Sequence, residues 1–308
     1  MLRLLVLGSF FIATSAFAQA EFYAYGGGLR GNGDTTWAVG FGFISKRSDH
    51  FGIGFGHYNE GHLPNNHRDG FMAQAWYLRP LGEKLELQLG TGPYASMNNT
   101  TVDGVRKNEL RAGLLTSAAL KWHPVSSPWY LRLQYNYALM AGTYDTHAVL
   151  LGAGRDFAAE ESDADNGTRR ANLGLWGGYS RTTQVGSQDS AFAYELEAKF
   201  PIRRFEHLAY SVSLLWEGDT ELADRKGVPI RLWYDQPANE RLTFGFGVGP
   251  YPAYNAIGDD SFQVNGIVSI RVTYLLGKRY EAGIMYTRVV SFSDRDQDIL
   301  MLGVLARL

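Results

Sequence analysis

The sequence predicts an all-β fold, a transmembrane antiparallel β-barrel assembled from two copies of an eight-strand unit. Three observations predict it. Apolar and polar residues alternate with period two along almost the whole chain, the mark of strands with two unlike faces. The strand segments are long enough, at roughly 10–14 residues, to cross a hydrocarbon layer at a tilt. The chain also repeats itself over a unit of about 140 residues, far longer than a solenoid repeat. At an offset of 157, Glu60/Glu217, Gly61/Gly218, Arg68/Arg225, Gly70/Gly227, Trp76/Trp233, Gly90/Gly247, Tyr94/Tyr251 and Asn98/Asn255 coincide. At an offset of 151, Tyr135/Tyr286, Asp145/Asp296, Leu151/Leu302 and Gly152/Gly303 coincide.

Residues 1–20 read as a secretory signal peptide, with Arg3 before an apolar run from Leu4 to Ala13 and small residues around Ala18 and Ala20. The run is too short to span a membrane as a helix, which takes about 20 residues. The first repeat, 21–157, carries expected strands at 21–31, 35–47, 50–60, 69–80, 84–97, 108–123, 129–141 and 145–157. In the fifth, Leu85, Leu87 and Leu89 alternate with Glu86, Gln88 and Gly90; in the seventh, Leu131, Leu133 and Tyr135 alternate with Arg132, Gln134 and Asn136. Residues 158–169, acidic and polar, form a linker or a periplasmic turn. The second repeat, 170–308, carries expected strands at 170–183, 189–203, 208–218, 227–236, 241–254, 264–277, 279–291 and 296–308. There Leu242, Phe244, Phe246 and Val248 alternate with threonine and glycines, and Val264 to Tyr274 alternates throughout. Connections are short and rich in Gly, Asp, Asn and Pro, as hairpins require. The triplet Asn98-Asn99-Thr100 reads as a turn.

An even strand count, an export signal, and aromatics toward strand ends favour a membrane barrel over a soluble sandwich. The aromatics are Trp37, Tyr77, Tyr94, Trp122, Trp129, Tyr130, Tyr234, Tyr251 and Tyr280. Two closures are open: one barrel of sixteen strands, or two tandem barrels of eight. The single barrel is favoured, because it avoids setting two lipid-facing cylinders side by side. Phe157 at the end of the first half marks descent from an eight-stranded ancestor.

Composition narrows the function. The chain has no cysteine, so disulfides do not hold it, and its formal charge of −2 gives no reason to expect nucleic acid as a partner. With both termini periplasmic, the odd hairpins point outward from the cell. One such hairpin, His57 to Gly70, and its counterpart, Trp216 to Gly227, hold most of the candidate site residues: Glu60, His62, His67, Arg68, Asp69, Glu217, Asp219 and Arg225. The last hairpin of each half adds Asp145 and Asp296. Parity sets His57 and Asn59 on the lipid side after Phe51, Ile53 and Phe55, and turns Glu60 and Glu217 into the lumen. A Glu–Arg pair is a means of holding charge in a confined interior. A lumen charge network or a binding site is therefore expected from these residues, with no cofactor and no metal. The imidazoles and carboxylates of His57, His62, His67, Glu60 and Asp69 are of ligand type, but their spacing follows no metal pattern.

The run His57-Tyr58-Asn59-Glu60-Gly61, with Pro64-Asn65 and Asp69-Gly70, resembles the His-x-Ser-Asn hairpin of outer-membrane lipid A 3-O-deacylases. The resemblance implies an eight-stranded barrel, and for the family a Ser-His-Glu triad in which His57 would be the histidine. The serine position is Asn59 here, and an amide cannot be an acylating nucleophile. Ser45 and Ser96 are the nearest alternatives. The expected function is accordingly non-enzymatic: an outer-membrane barrel of a Gram-negative cell, a narrow pore or a barrel that interacts with lipopolysaccharide or a small polar solute, inserted by the barrel-assembly machinery. The competing reading is a hydrolase of outer-leaflet lipid.

Overall fold

The computed structural model describes residues 19–64, 66–102, 105–157, 171–184, 187–202, 207–257, 262–291 and 295–308. The expected signal peptide and the linker at 158–169 lie outside them, apart from residues 19 and 20. Eight strands make the first half: β1 Ala20–Gly31, β2 Asp34–Ser48, β3 Phe51–Leu63, β4 Asn66–Pro80, β5 Leu85–Val102, β6 Val105–Trp122, β7 Trp129–Met140 and β8 Thr146–Phe157. Nine make the second: β9 Asn172–Gln184, β10 Ser187–Pro201, β11 Leu208–Asp219, β12 Asp224–Gly227, β13 Ile230–Pro237, β14 Leu242–Asn255, β15 Phe262–Leu275, β16 Tyr280–Val290 and β17 Asp296–Arg307. No helix among the described residues is long and apolar enough to cross a membrane.

The chain forms two closed antiparallel barrels, and the favoured single barrel of sixteen strands is not formed. β1 pairs with β8 over its whole length, from Ala20 opposite Phe157 to Gly31 opposite Thr146. β9 pairs with β17 in the same way, from Asn172 opposite Arg307 to Thr183 opposite Asp296. The matched lengths of first and last strand in each repeat let those two strands pair inside their own half, which removes the edges that would otherwise have to join. In the second barrel β12 and β13 share one stave between β11 and β14. Pro229 interrupts it, since proline cannot donate to a ladder.

Side chains divide as a membrane barrel requires. Leu131, Leu133, Tyr135 and Leu139 of β7 are exposed, while Arg132, Gln134 and Asn136 between them are buried in the lumen. In β11, Tyr210, Val212 and Leu214 are exposed and Ser211, Ser213 and Leu215 buried. An apolar outside around a polar inside is the arrangement for hydrocarbon. Trp37, Tyr77, Trp122, Trp129 and Tyr280 stand exposed at strand ends, but Tyr94, Tyr130 and Tyr251 do not join them. Parity turns those three inward, where each is buried. Asn98-Asn99-Thr100 lies within β5 rather than in a turn.

The pairs that recur in both halves are largely lumen packing. Trp76 and Trp233 fill the two interiors, and a Cβ on Gly90 or Gly247 would stand 2.7 Å from the ring of its own tryptophan. Gly61 and Gly218 have φ of 63° and 94°, a backbone open to glycine. Each sits at a break in register, between Asn59 and His62 in β3 and between Trp216 and Asp219 in β11.

The barrels stand side by side. Phe41 meets Phe246 with ring centroids 6.0 Å apart, Phe43 meets Tyr234 at 4.2 Å and Phe157 meets Phe244 at 5.2 Å. Phe22, Phe55, Phe71, Val268 and Ile270 complete this apolar seam. Two cylinders thus bury part of their lipid-facing surface against each other.

Candidate functional site

Three places gather polar groups: the ends of the lumens beside the β3–β4 and β11–β12 hairpins (the outer ends), the same end of the seam, and the rim of β1 and β8 on that side. In the first lumen Arg68 pairs with Glu60 at 2.8 Å and donates to the Tyr144 carbonyl at 3.1 Å. The Thr146 hydroxyl donates to Glu60. In the second lumen Arg225 pairs with Glu217 at 2.8 Å and donates to the carbonyl of Arg295 at 2.8 Å and to Gln297 at 3.2 Å. Both arginines and both glutamates are buried. Deeper down, Lys121 meets Glu21 at 2.6 Å and Arg132 lies 4.0 Å over the Tyr23 ring and 5.2 Å from Trp76. The second barrel places Arg231 on Glu195 at 2.6 Å and Arg271 on Glu197 at 3.1 Å, with Arg271 4.2 Å over Trp233. Charges and large rings fill both interiors.

The seam carries the second cluster. His57 and Asn59 do face outward from β3, but the second barrel covers them where lipid was expected, and both are buried. Asp69, opposite Asn59 in the ladder, also faces outward and not into the lumen. Its carboxylate accepts from the His57 ring, from Asn59 at 3.0 Å and from Arg288 Nε at 2.5 Å. Arg288 comes from β16 of the other barrel. It also donates to Asp298 at 2.8 and 3.0 Å and to Asp296 at 3.3 Å. Tyr286 donates to Asp298 at 2.6 Å. His67 is buried beside Asn59, whose amide lies 3.4 Å from its Nε2, and stacks on exposed His62 with centroids 4.4 Å apart.

Asp145 and Asp296 occupy equivalent turns with different surroundings. Asp145 accepts from the Tyr137 hydroxyl at 2.7 Å and from the Met140 amide at 3.1 Å. The tyrosine hydroxyl first, and then the amide, hold its carboxyl below the usual carboxylate range. Asp296 accepts from the Ser291 amide at 2.8 Å, the repeat equivalent of Met140, and from Arg288 where the first half has Tyr137. Asp219 is exposed at the end of β11 and joins neither cluster.

Arg288, Asp298 and Tyr286 were not among the expected site residues. The signal for them was parity. Arg288 shares its face with Ile284, and Asp298 with Leu300 and Leu302, all exposed to the lipid side. A charge on the face that otherwise carries apolar side chains calls for a partner.

The third place is a groove of about 210 Å³ on the outside of the first barrel, lined by Gly28, Arg30, Thr35, Tyr135, His147 and Val149 among others. Gly28 forms its floor, with nothing within 4 Å of where a Cβ would stand. Arg30 and His147 are cross-strand neighbours at its outer end, and both are exposed.

No protein-family model matches the chain, and no curated protein matches it. Solved structures with similar folds include the N-terminal β-barrel domain of Pseudomonas aeruginosa OprF, at 14% identity over 46% of this chain and 100% of that one, with a TM-score of 0.38. Ail, the attachment invasion locus protein of Yersinia pestis, matches at 12% identity over 47% of this chain and 100% of that one, with a TM-score of 0.36. The KdgM porin matches at 8% identity over 94% and 99%, with a TM-score of 0.24. Likenesses at this level lend nothing to a functional reading.

Proposed function

We propose that the protein is a non-enzymatic, non-conducting double barrel of the outer membrane of a Gram-negative cell, inserted by the barrel-assembly machinery, which holds anionic lipid of the lipopolysaccharide class against its outer face. The observation that carries this reading is the groove above Gly28. Its walls, Tyr135 and Val149, suit an acyl chain, and Arg30 and His147 stand where a lipid phosphate would lie. The Arg30 side chain makes no hydrogen bond or ion pair among the described residues, so its charge is available to a ligand. The filled lumens argue against a pore for small polar solutes: Trp76, Arg132, Trp233 and Arg231 are each under 2% exposed. The hydrolase reading loses support for two reasons. Asn59 stands at the serine position, and the His57–Asp69 pair is buried under the second barrel, out of reach of a lipid ester. Ser45 and Ser96 are buried and do not bond His57, whose ring bonds Asp69. The likeness to lipid A deacylases is read as kinship without the reaction.

The test uses purified full-length protein. It should give no conductance steps in planar bilayers, and it should retain lipopolysaccharide in preference to a zwitterionic phospholipid. Arg30→Glu with His147→Glu should abolish that preference. Steady conductance, or retention unchanged in the double variant, overturns the proposal. So does loss of an acyl chain from lipid A on expression that His57→Ala abolishes.

A further inference from the structure

We infer that the outer end of the seam is a divalent-cation site, with His67 and Asp69 from the first barrel and Asp296 from the second as its ligands. Each of these residues offers one ligand atom, and the three atoms lie within 4.8 Å of one another. All three side chains are buried. Nitrogen and carboxylate ligands stand roughly 2.0–2.2 Å from zinc, so the three would draw inward on an ion.

Charge supplies an independent reason. One guanidinium, Arg288, serves three carboxylates at once: Asp69, Asp296 and Asp298. The three carboxylates outnumber the one guanidinium by two negative charges. The side chains of Asp69 and Asp296 are 1% and 7% exposed, so water does little to offset their charge, whereas Asp298, at 35%, is partly solvated. One divalent ion brings the sum to zero. Carboxylate oxygens have lone pairs to spare: Asp296 Oδ2 faces Arg288 while Oδ1 takes the Ser291 amide, and each oxygen can accept a second bond.

The donor set selects the ion. One imidazole and two carboxylates suit Zn²⁺ or Mn²⁺, whereas Ca²⁺ takes about 6–8 oxygens. The site also needs both barrels. Asp69 and Asp296 are far apart in sequence and belong to separate closed sheets, so an ion there would fasten one barrel to the other. The repeat equivalents of His67 and Asp69 are Asp224 and Lys226, and the equivalent of Asp296 is Asp145 on an exposed turn, so the ligand set occurs once among the described residues.

The test takes tag-free full-length protein, folded in detergent micelles and stripped with EDTA, and titrates it separately with Zn²⁺, Mn²⁺ and Ca²⁺. Bound metal is counted after gel filtration. We expect one equivalent of Zn²⁺ or Mn²⁺ per chain and none of Ca²⁺. His67→Gln and Asp296→Asn should each weaken binding at least tenfold, while Asp145→Asn should bind as the unaltered protein does. The heat-dependent gel mobility of folded barrels checks each variant. Should Asp296→Asn fail to fold, His67→Gln decides alone, since His67 contributes only a ring stack and a long contact to Asn59. Absence of bound Zn²⁺ and Mn²⁺ in the unaltered protein, or equal binding by His67→Gln, overturns the inference.

Discussion

Glu217 and Arg225 illustrate how a single residue pair is held and why its loss should be felt. The pair is closed at 2.8 Å, Nε also donates to Glu217 at 3.0 Å, and Nη2 donates to the Arg295 carbonyl and Gln297. Both side chains are at most 1% exposed, so removing one leaves the other charged in a dry interior. Breaking such a buried pair typically costs about 3–5 kcal/mol, against about 0–1 kcal/mol for an exposed one. Glu217→Gln should therefore lower the temperature of the heat-dependent gel shift, and adding Arg225→Gln should recover part of the loss. An unaltered gel-shift temperature in the single variant would contradict a structural role. The recurrence of Glu60/Arg68 and Glu217/Arg225 made these pairs legible from the chain alone. The seam was not legible in that way, because Arg288 stands where the first repeat has Tyr137 and Asp69 where the second has Lys226. Residues that differ between the repeats made the contact between the barrels.

At the scale of the strand, the two repeats preserve how a large ring passes a neighbouring strand. Trp233 is buried, its indole donates to Ser211 at 2.8 Å, and Arg271 stacks on it. A ring fixed on both sides cannot retreat from a methyl group 2.7 Å away, so Gly247→Ala should destabilise the second barrel by about 1–3 kcal/mol. Gly28→Ala is the matched control: nothing lies within 4 Å of its Cβ position, and the fold should not register the change. Equal gel-shift temperatures for the two variants would show that the glycine is not there to admit the tryptophan. Strand positions were legible because period-two alternation is strong wherever one face meets lipid. The aromatics misled where parity was not applied, as with Tyr94 and Tyr251, whose places near strand ends suggested an interface and whose side chains point inward. The extension of β3 to Leu63 was hidden by the register break at Gly61.

At the scale of the molecule, the repeat determines the number of strands but not how they close. A sixteen-stranded barrel and two eight-stranded barrels share every hairpin; they differ only in which strand lies beside β1 and which beside β9. The objection to two cylinders was the cost of setting lipid-facing walls together. The seam answers it with aromatic contacts along its length, such as Phe43 on Tyr234, and a charged cluster at its outer end around Asp69 and Arg288. These are contacts between side chains far apart in sequence, which no local pattern encodes. The absence of cysteine makes closure directly measurable. Ala24 and Ala153 are exposed partners across β1 and β8, and Val304 faces Leu175 across β17 and β9. Oxidation of the folded Ala24→Cys/Ala153→Cys protein should give an intramolecular disulfide, and Ala24→Cys/Val304→Cys should give none. A disulfide in the second variant and not in the first would place β1 beside the last strand and contradict the two-barrel fold.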